Sequence, residues 1–326
     1  MIVVNKINDV KGYDKFAEKQ GVNIFYNKFW LEFLDKNEKD PIYFYESNNE
    51  GITSFLGLSR IGDNYYCMPW FVSEKIYFEN SIESYIKEFN KLKCSAVIIE
   101  NISKKQAKIL SKKGFIVYPS YVYPELEVSS MGGFWSGLGG AKKRKVLKKA
   151  IRKAKDEGLE IVNVTSLKDV ESYFMLERKT MERNNSIAES LDYWKGIYEN
   201  VPSDKLLFLL AKKNGKVIAG RISVVDENKI FNLRGVSLRE FQSCHANELL
   251  HLRIIEEAIN RGIPLIDYGA STISHSGSYV FKKKFSNKER FLWSATYVVD
   301  NKVREKYLEI AKRNKKRLDI FLNEDE

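Results

Sequence analysis

The residue types best suited to chemistry lie in the stretch Leu265–Phe285, LIDYGASTISHSGSYVFKKKF. A strand predicted at Leu265–Tyr268 contains Asp267 and leads into a loop rich in Ser, Thr and Gly, which is a usual setting for a site at the carboxyl end of a strand. Three lysines, Lys282–Lys284, follow between aromatic residues. Clustered ammonium groups beside apolar rings favour a ligand that bears phosphate. The alternative is a helix end with solvated lysines, and at least one of the three is expected to point to solvent.

Composition and charge limit the classes of protein to be considered. The 326 residues suffice for two domains, and the formal net charge of +11 with a pI near 9.2 indicates a polyanionic partner, such as nucleic acid, a nucleotide or an anionic membrane surface. No apolar run approaches the roughly 18 residues of a membrane span, and the N-terminus lacks the pattern of a signal peptide. The three cysteines are scattered and indicate reduced thiols. We therefore expect a cytoplasmic protein.

The elements that must position these residues recur in two halves of the chain. Each half is predicted to contain a strand hairpin, a third strand, a helix, a buried strand, a helical segment and a closing strand. This order predicts two copies of one mixed α/β unit, with the lysines just after a helical segment and before the closing strand. The predicted strands are Ile42–Glu46, Ile52–Arg60, Tyr65–Met68, Ala96–Ile99 and Val122–Val128 in the first half, and Leu206–Ala211, Val217–Val225, Ile230–Val236, Leu265–Tyr268 and Phe291–Val299 in the second. The main predicted helices are about Ser81–Leu92, Ala246–Arg261 and, at the C-terminus, Val303–Leu322.

A strongly basic segment, Ala141–Gly158, lies between the two copies. Its apolar residues fall at helical spacing and Gly158 ends the pattern, which predicts a helix. Nine cations precede its first acid, Asp156, and they repel one another unless an anion is near. The segment is therefore either a solvated linking helix or an electrostatic binding surface. Its first four cations, assigned to donor phosphate or RNA, are Lys142, Lys143, Arg144 and Lys145.

Three stretches resemble motifs of one family. FWSGLGGAKKRKVLKKAIRKAKDEGLEI resembles the junction of the Fem-type peptidyltransferases and the related CelD-like acetyltransferases, in which a Trp and basic residues lead into a helix, a Gly and a strand. LIDYGAS followed by SGSYVFKKKF resembles the DFG and FKxxF signature near the end of these proteins. KTMERNNSIAES, Lys179–Ser190, is similar to the TxxRDGF-like segment of the peptidoglycan members, with Arg183 at the arginine. The resemblance covers nearly the whole chain.

The resemblance implies two GNAT-like domains in tandem. It places the first domain at residues 1–140, with the final helix at 303–326 packed back on it, a basic linking helix at 141–158 and the second domain at 159–302. Members of the family transfer an acyl or aminoacyl group to an amine. The peptidoglycan members use aminoacyl-tRNA and a lipid-linked or nucleotide-linked muropeptide in the cytoplasm, whereas CelD-like relatives are associated with acyl-CoA and surface-glycan pathways.

Two departures from the family pattern bear on the substrates. A GNAT site for CoA usually has a glycine-containing loop between the third strand and the following helix, where free backbone N–H groups hold the pyrophosphate. The equivalent stretch Ser237–Asn247 begins the pattern with Gln242 but contains no glycine, which argues against CoA. Leu34 stands where the peptidoglycan members carry a lysine, and Asn184–Asn185 replace an Asp and a Gly. The acceptor is therefore expected to differ from theirs.

The implied reaction assigns roles to the motif residues. An amine attacks an ester or thioester carbonyl, and the tetrahedral oxyanion needs a positive or N–H donor. Lys282 and Lys283 are assigned to the donor phosphates or to this oxyanion. Asp267 either accepts a proton and orients the amine or caps the next segment. Arg183 is a candidate for acceptor phosphate or an ordinary surface arginine, and Arg234 either faces a cleft or snorkels. The remaining substrate-binding candidates are Tyr268, Tyr279 and Phe281.

Three functions from different classes follow. The leading one is transfer of an aminoacyl group from aminoacyl-tRNA to an amine of a cell-envelope precursor. The alternative is an acyl-CoA-dependent N-acyltransferase acting on a nucleotide-sugar or surface-glycan amine, and the third is a non-enzymatic RNA-binding or membrane-surface protein. A peripheral association with the membrane surface is compatible with all three. We expect no tightly bound cofactor, and no metal ion because His245, His251 and His275 lack a ligand spacing.

Overall fold

The computed structural model describes residues 1–21, 23–68, 79–274 and 276–323, and His275 of the predicted loop lies outside them. The chain forms two compact units. Unit 1 comprises Met1–Val122, Ser271–Ser276 and Phe291–Glu326, and unit 2 comprises Tyr123–Ala270 and Gly277–Arg290. Residues 123–140 thus belong to unit 2 and residues 291–302 to unit 1. The family resemblance instead places the domain boundaries at residues 140 and 302. The domain limits taken from the resemblance stay a prediction.

The described residues contain thirteen β-strands and eleven α-helices. The strands are β1 (Ile2–Val4), β2 (Ile42–Asn48), β3 (Gly51–Ile61), β4 (Asn64–Met68), β5 (Ala96–Ile102), β6 (Ile116–Glu127), β7 (Glu160–Asn163), β8 (Leu206–Lys213), β9 (Lys216–Val225), β10 (Lys229–Ser237), β11 (Leu265–Asp267), β12 (Ser271–Thr272) and β13 (Lys288–Val298). The helices are α1 (Tyr13–Gln20), α2 (Lys28–Asn37), α3 (Ile82–Phe89), α4 (Lys104–Ser111), α5 (Met131–Gly137), α6 (Ala141–Asp156), α7 (Leu167–Arg183), α8 (Leu191–Asn200), α9 (Ala246–Asn260), α10 (Gly277–Lys283) and α11 (Arg304–Asn323).

Unit 1 begins its sheet with three antiparallel strands. β2 pairs with β3 and β3 with β4, and the first hairpin turns just before Gly51, whose φ of 117° favours glycine. α3 precedes β5, which runs parallel to β4. Large apolar side chains from the strands and from α3 form the core, among them Phe44, Phe89 and Ile99. The C-terminal helix α11 packs in this unit through Tyr307, which contacts the core around β5.

Unit 2 repeats this arrangement. β8, β9 and β10 are antiparallel, α9 follows, and β11 runs parallel to β10. The Asn214-Gly215 turn between β8 and β9 has φ angles of 50° and 75°, as the predicted two-residue hairpin requires. β7 pairs with β8. The apolar stripe of α9 is buried, as its residues show: Leu249, Leu250, Ile254, Ile255 and Ala258.

The last strand of each unit comes from the other half of the sequence. In unit 1, residues 293–298 of β13 pair antiparallel with β5. In unit 2, residues 125–127 of β6 pair antiparallel with β11. The predicted order of elements is therefore present in both halves, but the copies are not contiguous in sequence. Local periodicity sets which residues form a strand, whereas the partner of a strand depends on contacts distant in sequence.

Several predicted boundaries need correction. β6 begins at Ile116 rather than Val122, and β11 ends at Asp267 rather than Tyr268. Lys282 and Lys283 lie in the last turn of α10 rather than after it. Helices α1, α7 and α8 were not assigned from the sequence pattern. For α7 and α8 the signal was an N-cap serine whose hydroxyl accepts a backbone hydrogen bond.

Candidate active site

Lys282 lies in the last turn of α10, and its side chain reaches the backbone that follows β11. Its Nζ donates hydrogen bonds to the carbonyl oxygens of Gly269, at 3.1 Å, and Ala270, at 2.7 Å. Gly269 has a φ of 77°, and a Cβ there would lie 3.0 Å from the Asn232 carbonyl oxygen. Burial, and secondarily the nearby Arg221 guanidinium, lower the pKa of Lys282 to about 8. This lysine is held in a fixed position and titrates close to neutral pH.

Three buried polar side chains, Arg221, His251 and Tyr268, form what we call the buried polar cluster of unit 2. Their exposed fractions are 8%, 0% and 2%. Arg221 Nη1 lies 3.4 Å from Asn232 Oδ1, but Arg221 Nε, both His251 ring nitrogens and the Tyr268 hydroxyl have no hydrogen-bond partner among the described residues. Burial lowers the pKa of Arg221 to about 10 and holds that of His251 well below its ordinary value. The cluster combines a desolvated cation with the neutral imidazole, so its field acts in a low-dielectric environment.

Aromatic rings surround the neutral imidazole of His251. The Phe285 ring stacks on it with centroids 4.5 Å apart and an angle of 13° between planes. Tyr268 and Phe281 approach the same imidazole at centroid distances of 5.0 and 5.2 Å. Two of the predicted substrate-binding residues, Tyr268 and Phe281, are thus packed against a buried histidine. Their substrate contacts stay a prediction.

Asp267, at the end of β11, is buried and ion-paired. Its Oδ2 accepts a hydrogen bond from Arg290 Nη2 at 3.2 Å, and its Oδ1 accepts one from the Gly269 N–H at 2.7 Å. The same Arg290 nitrogen lies 2.8 Å from Glu125 Oε1, and Lys229 Nζ lies 3.5 Å from that oxygen. Burial raises the pKa of Asp267 despite the opposing effect of Arg290. The bond to Gly269 is the capping contact that the sequence left open as one alternative for this carboxylate.

The two other lysines of the run are paired with acids. Lys283 Nζ lies 3.7 Å from Glu289 Oε1 and 5.3 Å from the centre of the Tyr279 ring. Lys284 Nζ lies 3.4 Å from Glu248 Oε1. Tyr279 is fully buried, and its hydroxyl donates to Glu289 Oε1 at 2.6 Å. The side chains of Lys283 and Lys284 are 40% and 43% exposed, so both reach solvent while they remain ion-paired.

The loop that corresponds to a GNAT pyrophosphate loop is closed by its own side chains. Residues Arg239–Cys244 form a 3₁₀ turn that contains the exposed Gln242, and His245 follows with a φ of 58°. Asn247 Nδ2 then donates to Ser237 Oγ at 3.1 Å. His245, which has a side chain, therefore adopts the left-handed conformation. A glycine in this conformation would leave the backbone accessible to a ligand.

Glu248 places a buried carboxylate in the first turn of α9. The residue is 7% exposed, and its Oε1 lies 3.5 Å from His245 Nδ1 and 3.4 Å from Lys284 Nζ. The positive end of the helix dipole stabilises such an acid. The same carboxylate would repel a pyrophosphate that approached this helix N-terminus.

Two of the first four cations of the basic helix α6 bond to backbone carbonyls, and the other two are exposed to solvent. Lys143 Nζ donates to the Lys283 carbonyl oxygen at 2.7 Å, and Arg144 Nη1 donates to a carbonyl of the preceding loop at 3.0 Å. Burial, and secondarily Lys283, lower the pKa of Lys143. Lys142 and Lys145 are exposed. The exposed cations of α6 that have no ion pair among the described residues are Lys142, Lys145, Lys148, Lys149, Arg152 and Lys155, of which Lys148 lies over the Trp135 ring.

Arg234 and Arg183 are held by contacts within unit 2. Arg234 Nη1 lies 3.4 Å from Oε1 of the fully buried Glu177, and Nη2 lies 3.4 Å from Glu189 Oε1. Glu177 also accepts a hydrogen bond from Trp194 Nε1, and burial raises its pKa. Arg183 Nη1 donates to a carbonyl oxygen at the end of β10, at 3.0 Å. Both arginines therefore have structural partners, and their binding of an acceptor stays a prediction.

Of the predicted residues, Lys282 and Asp267 both bond to Gly269, and Tyr268 belongs to the buried polar cluster through its ring contact with His251. Sequence reasoning missed Arg221, His251 and Glu177. The available signal was a charged residue inside an apolar element, as for Arg221 in the strand KVIAGRISVV. That signal does not reveal which face of the element is buried.

Two general features belong to the described part of the chain. It contains no group of three or more His, Cys, Asp or Glu side chains that could hold a metal ion. None of its helices combines the length with the apolar character that crossing a membrane requires.

The class of protein follows from the fold and a family match. Residues 141–283 match the family described as an acetyltransferase (GNAT) domain, and this segment runs from α6 through the lysine helix α10. The chain has a mixed α/β fold with two GNAT-like units in tandem, and its class is that of the acyltransferases. The predicted fold class and enzyme class are confirmed.

Solved structures with a similar fold include members of the group predicted from the motifs. The crystal structure of FemX matches with a TM-score of 0.62 and 12% identity over 94% of this chain and 99% of that chain. L-PGS from Bacillus licheniformis matches with a TM-score of 0.63 and 14% identity over 97% and 99%. A tandem GNAT protein from the clavulanic acid biosynthesis pathway matches with a TM-score of 0.58 and 10% identity over 92% and 98%. Comparison with curated proteins gave no match. The resemblance to the Fem-type proteins is confirmed at the level of the fold.

Proposed function

We propose that the chain transfers an aminoacyl group from aminoacyl-tRNA to an amine of a cell-envelope precursor. The observation that carries the choice of donor is the buried Glu248 carboxylate in the first turn of α9, beside the loop where a GNAT site holds the CoA pyrophosphate. An anion is already present at this helix N-terminus, and the loop before it contains no glycine. Both features favour a donor that does not place a pyrophosphate there.

The charge of α6 supports the same donor. Six of its cations are exposed and have no ion pair among the described residues, whereas Lys143 and Arg144 attach the helix to unit 2. Such a row of cations on a fixed helix suits the closely spaced phosphates of a folded RNA. It contributes affinity without reading the RNA sequence.

Lys282 is the residue of the lysine run best placed for the chemistry. The neutral amine attacks the ester carbonyl carbon, a C–N bond forms, and the C–O bond to the terminal ribose of the tRNA breaks. The amine loses one proton and the ribose oxygen gains one. In this proposal the Lys282 ammonium stabilises the oxyanion, because its Nζ is held by two carbonyls beside the buried Arg221. Lys283 and Lys284 are paired with acids, which lowers the charge that they can offer.

Asp267 acts in this proposal as a positioning residue. It binds Arg290 and the Gly269 N–H, and the Gly269 carbonyl in turn accepts from Lys282 Nζ. The carboxylate therefore fixes the backbone that fixes the lysine. Proton acceptance by Asp267, the other role considered from the sequence, would require it to leave the ion pair with Arg290.

An acyl-CoA donor remains the second candidate. The family match to the GNAT acetyltransferase domain includes the loop before α9 and favours this donor. The acceptor would then be an amine of a nucleotide-sugar or surface glycan. The cytoplasmic location and the peripheral membrane association expected from the sequence stay predictions under either donor.

The test compares two variants that each remove four positive charges. The first carries Lys→Gln or Arg→Gln at the exposed α6 positions Lys142, Lys145, Lys149 and Arg152 and retains the two cations that attach the helix. The matched control carries Lys→Gln at four exposed positions in or near α1: Lys6, Lys11, Lys15 and Lys19. Both variants have a formal charge of +7 instead of +11. Any difference between them therefore reports the position of the charge.

Binding of tRNA is measured by fluorescence anisotropy over a salt series, and binding of acetyl-CoA by calorimetry. Each phosphate contact contributes about 0.9 to the slope of log K against log salt, so the α6 variant should flatten that slope by about 3 to 4. The α1 control should keep the slope of the wild type. Equal slopes in the two variants would make α6 a solvated linking helix. Tight binding of acetyl-CoA without binding of tRNA would replace the proposal by the acyl-CoA alternative.

A further inference from the structure

Unit 1 contains a cavity of about 230 Å³ that takes no part in the proposed transfer chemistry. It is lined by residues of β5, β6, β12, β13 and α11. Pockets for drug-sized ligands have volumes of about 300 to 1,000 Å³. The unit 1 cavity is therefore suited to a smaller molecule, and its lining determines which kind.

Glu100, in β5, supplies a carboxylate that lacks a cationic partner. Among the described residues its hydrogen bond comes from the Tyr121 hydroxyl at 3.4 Å, and no lysine, arginine or histidine forms an ion pair with it. The side chain is half-buried, and burial raises the pKa of Glu100 to about 6. At neutral pH the group is still mostly ionised. A half-buried carboxylate without a counter-charge gains most from an ammonium group.

Ser294, in β13, adds a buried hydroxyl to the same cavity. It is fully buried, and its Oγ has no hydrogen-bond partner among the described residues. The pairing of β13 with β5 shifts register between Trp293 and Ala295, which places Ser294 opposite two residues of β5, Glu100 and Asn101. On β5, Asn101 next to Glu100 has a φ of 61°. Bulges and left-handed residues redirect side chains, and they occur preferentially beside functional sites.

Two arginines of α11 lie on another side of the cavity. Arg313 and Arg317 both line it, both are exposed, and they are four residues apart on one face of the helix. Neither forms an ion pair with an acid among the described residues. A pair of guanidinium groups at this spacing suits a carboxylate or phosphate, which each arginine can bind with two N–H donors.

We propose that this cavity binds a small molecule with a primary ammonium group, held by Glu100 and Ser294, and an anionic group, held by Arg313 and Arg317. The anionic group is a carboxylate, as in an amino acid, or a phosphate, as in a phosphorylated amino alcohol. The inference does not rest on the identity of the acyl donor, because every residue that carries it belongs to unit 1.

The binding test uses three probes on the full chain: β-alanine, O-phosphoethanolamine and propylamine. Affinities are measured by calorimetry and by ligand-detected NMR. The wild type should bind both zwitterions more tightly than propylamine, and the preferred zwitterion identifies the anionic group. Glu100→Gln keeps the shape of the side chain and removes its charge, so it should weaken all three probes at least about tenfold. Ser294→Ala should weaken them less, because it removes one neutral hydrogen bond.

A charge-matched pair on α11 tests the arginines. The double variant Arg313→Gln/Arg317→Gln should weaken β-alanine and O-phosphoethanolamine but leave propylamine unchanged. The control Lys312→Gln/Lys316→Gln removes two exposed cations with the same spacing that do not line the cavity, and it should bind all probes as the wild type does. Thermal melts verify that each variant is folded. Failure of every probe to show saturable binding below about 10 mM, or equal binding by wild type and folded Glu100→Gln, would overturn the proposal.

Discussion

Replacement of Lys282 by Met tests the proposed chemistry most directly. The substitution keeps most of the apolar stem and removes the ammonium group that bonds to the Gly269 and Ala270 carbonyls. Loss of one oxyanion donor costs about 3 kcal/mol in other acyl-transfer sites, so the rate of transfer should fall roughly 10²-fold or more. A lysine that holds donor phosphate would instead mainly raise the apparent KM for the donor. Single-turnover transfer from labelled aminoacyl-tRNA to the acceptor separates the two outcomes.

The dependence of the rate on pH distinguishes an oxyanion donor from a base. The pKa of Lys282 is lowered to about 8, and only its protonated form can stabilise an oxyanion. The rate of transfer should therefore fall as the pH rises through about 8. A base role would give the opposite sign, because only the neutral amine can accept a proton. Lys282→Arg keeps its charge throughout this range, so any activity that it retains should lose the decline near pH 8.

The lowered pKa of Lys282 should also be detectable in the pH dependence of the unfolding free energy. Between pH 8 and the ordinary lysine pKa of 10.5, the unfolded chain binds one more proton at this residue than the folded chain. The unfolding free energy of the wild type, relative to Lys282→Met, should thus rise by up to about 3 kcal/mol across this window. Below pH 8 the lysine is protonated in both states and the difference should be constant. Denaturant titrations at several pH values measure this change.

The control for Lys282 must be a lysine that faces water. Lys284 is unsuitable because it is ion-paired with the buried Glu248. Lys288 is 49% exposed and pairs only at the surface with Glu127, so Lys288→Met should leave the rate within about twofold of the wild type. Equal rates for Lys282→Met and Lys288→Met would refute the reasoning, and the site would then lie elsewhere in the chain.

Two further substitutions test the packing and the electrostatics of the fold. Gly220→Ala should lower the unfolding free energy by about 1 to 3 kcal/mol, because the new Cβ would lie 2.7 Å from the ring of the buried Tyr173. That ring cannot move easily, since it packs edge-on against Trp194 and Phe208. The control in denaturant melts is Gly132→Ala, where a Cβ meets nothing closer than 4.0 Å. Glu100→Gln should stabilise the protein at pH 8 by up to about 2 kcal/mol and have no effect below about pH 4.5. The pKa of Glu100 in the folded state, about 6, lies above its ordinary value of 4.5, so the wild type loses stability as the pH rises between these two values. Four groups that face Glu100 have raised pKa values and stay neutral in this range: Tyr66 and Cys67 on β4, and Tyr118 and Tyr121 on β6. Arg313 and Arg317 also line the cavity. A stability difference independent of pH would contradict this reasoning.

Parts of the candidate site were predictable because they follow from local rules. A strand that ends near Asp267 before a polar loop predicts a site at the carboxyl end of that strand, and the run Lys282–Lys284 predicts a concentration of positive charge beside it. The roles within that run were not predictable. Whether a lysine meets backbone carbonyls, as Lys282 does, or an acid, as Lys284 does with Glu248, depends on how the helix packs against other elements.

The residues that the sequence did not reveal share one property. Arg221, His251 and Glu177 are polar or charged groups that are buried beside apolar residues of their own elements. A single sequence shows that such a residue interrupts an apolar pattern, but not whether it turns to solvent or stays inside. Their pKa values are shifted by burial, and burial is a property of the packed structure.

The sequence by itself determined the local elements of this protein. The spacing of apolar residues defined α6 and α9, the Asn214-Gly215 turn defined the hairpin of β8 and β9, and the order of elements revealed two copies of one α/β unit. Each of these depends on interactions within a few residues along the chain. Only the tertiary structure decided that β13 completes unit 1 and β6 completes unit 2, and that Lys282 and Glu100 lose part of their solvent. The paired strands lie more than a hundred residues apart in sequence, and the residues that desolvate Lys282 and Glu100 come from other elements of the packed units, so no local pattern encodes either.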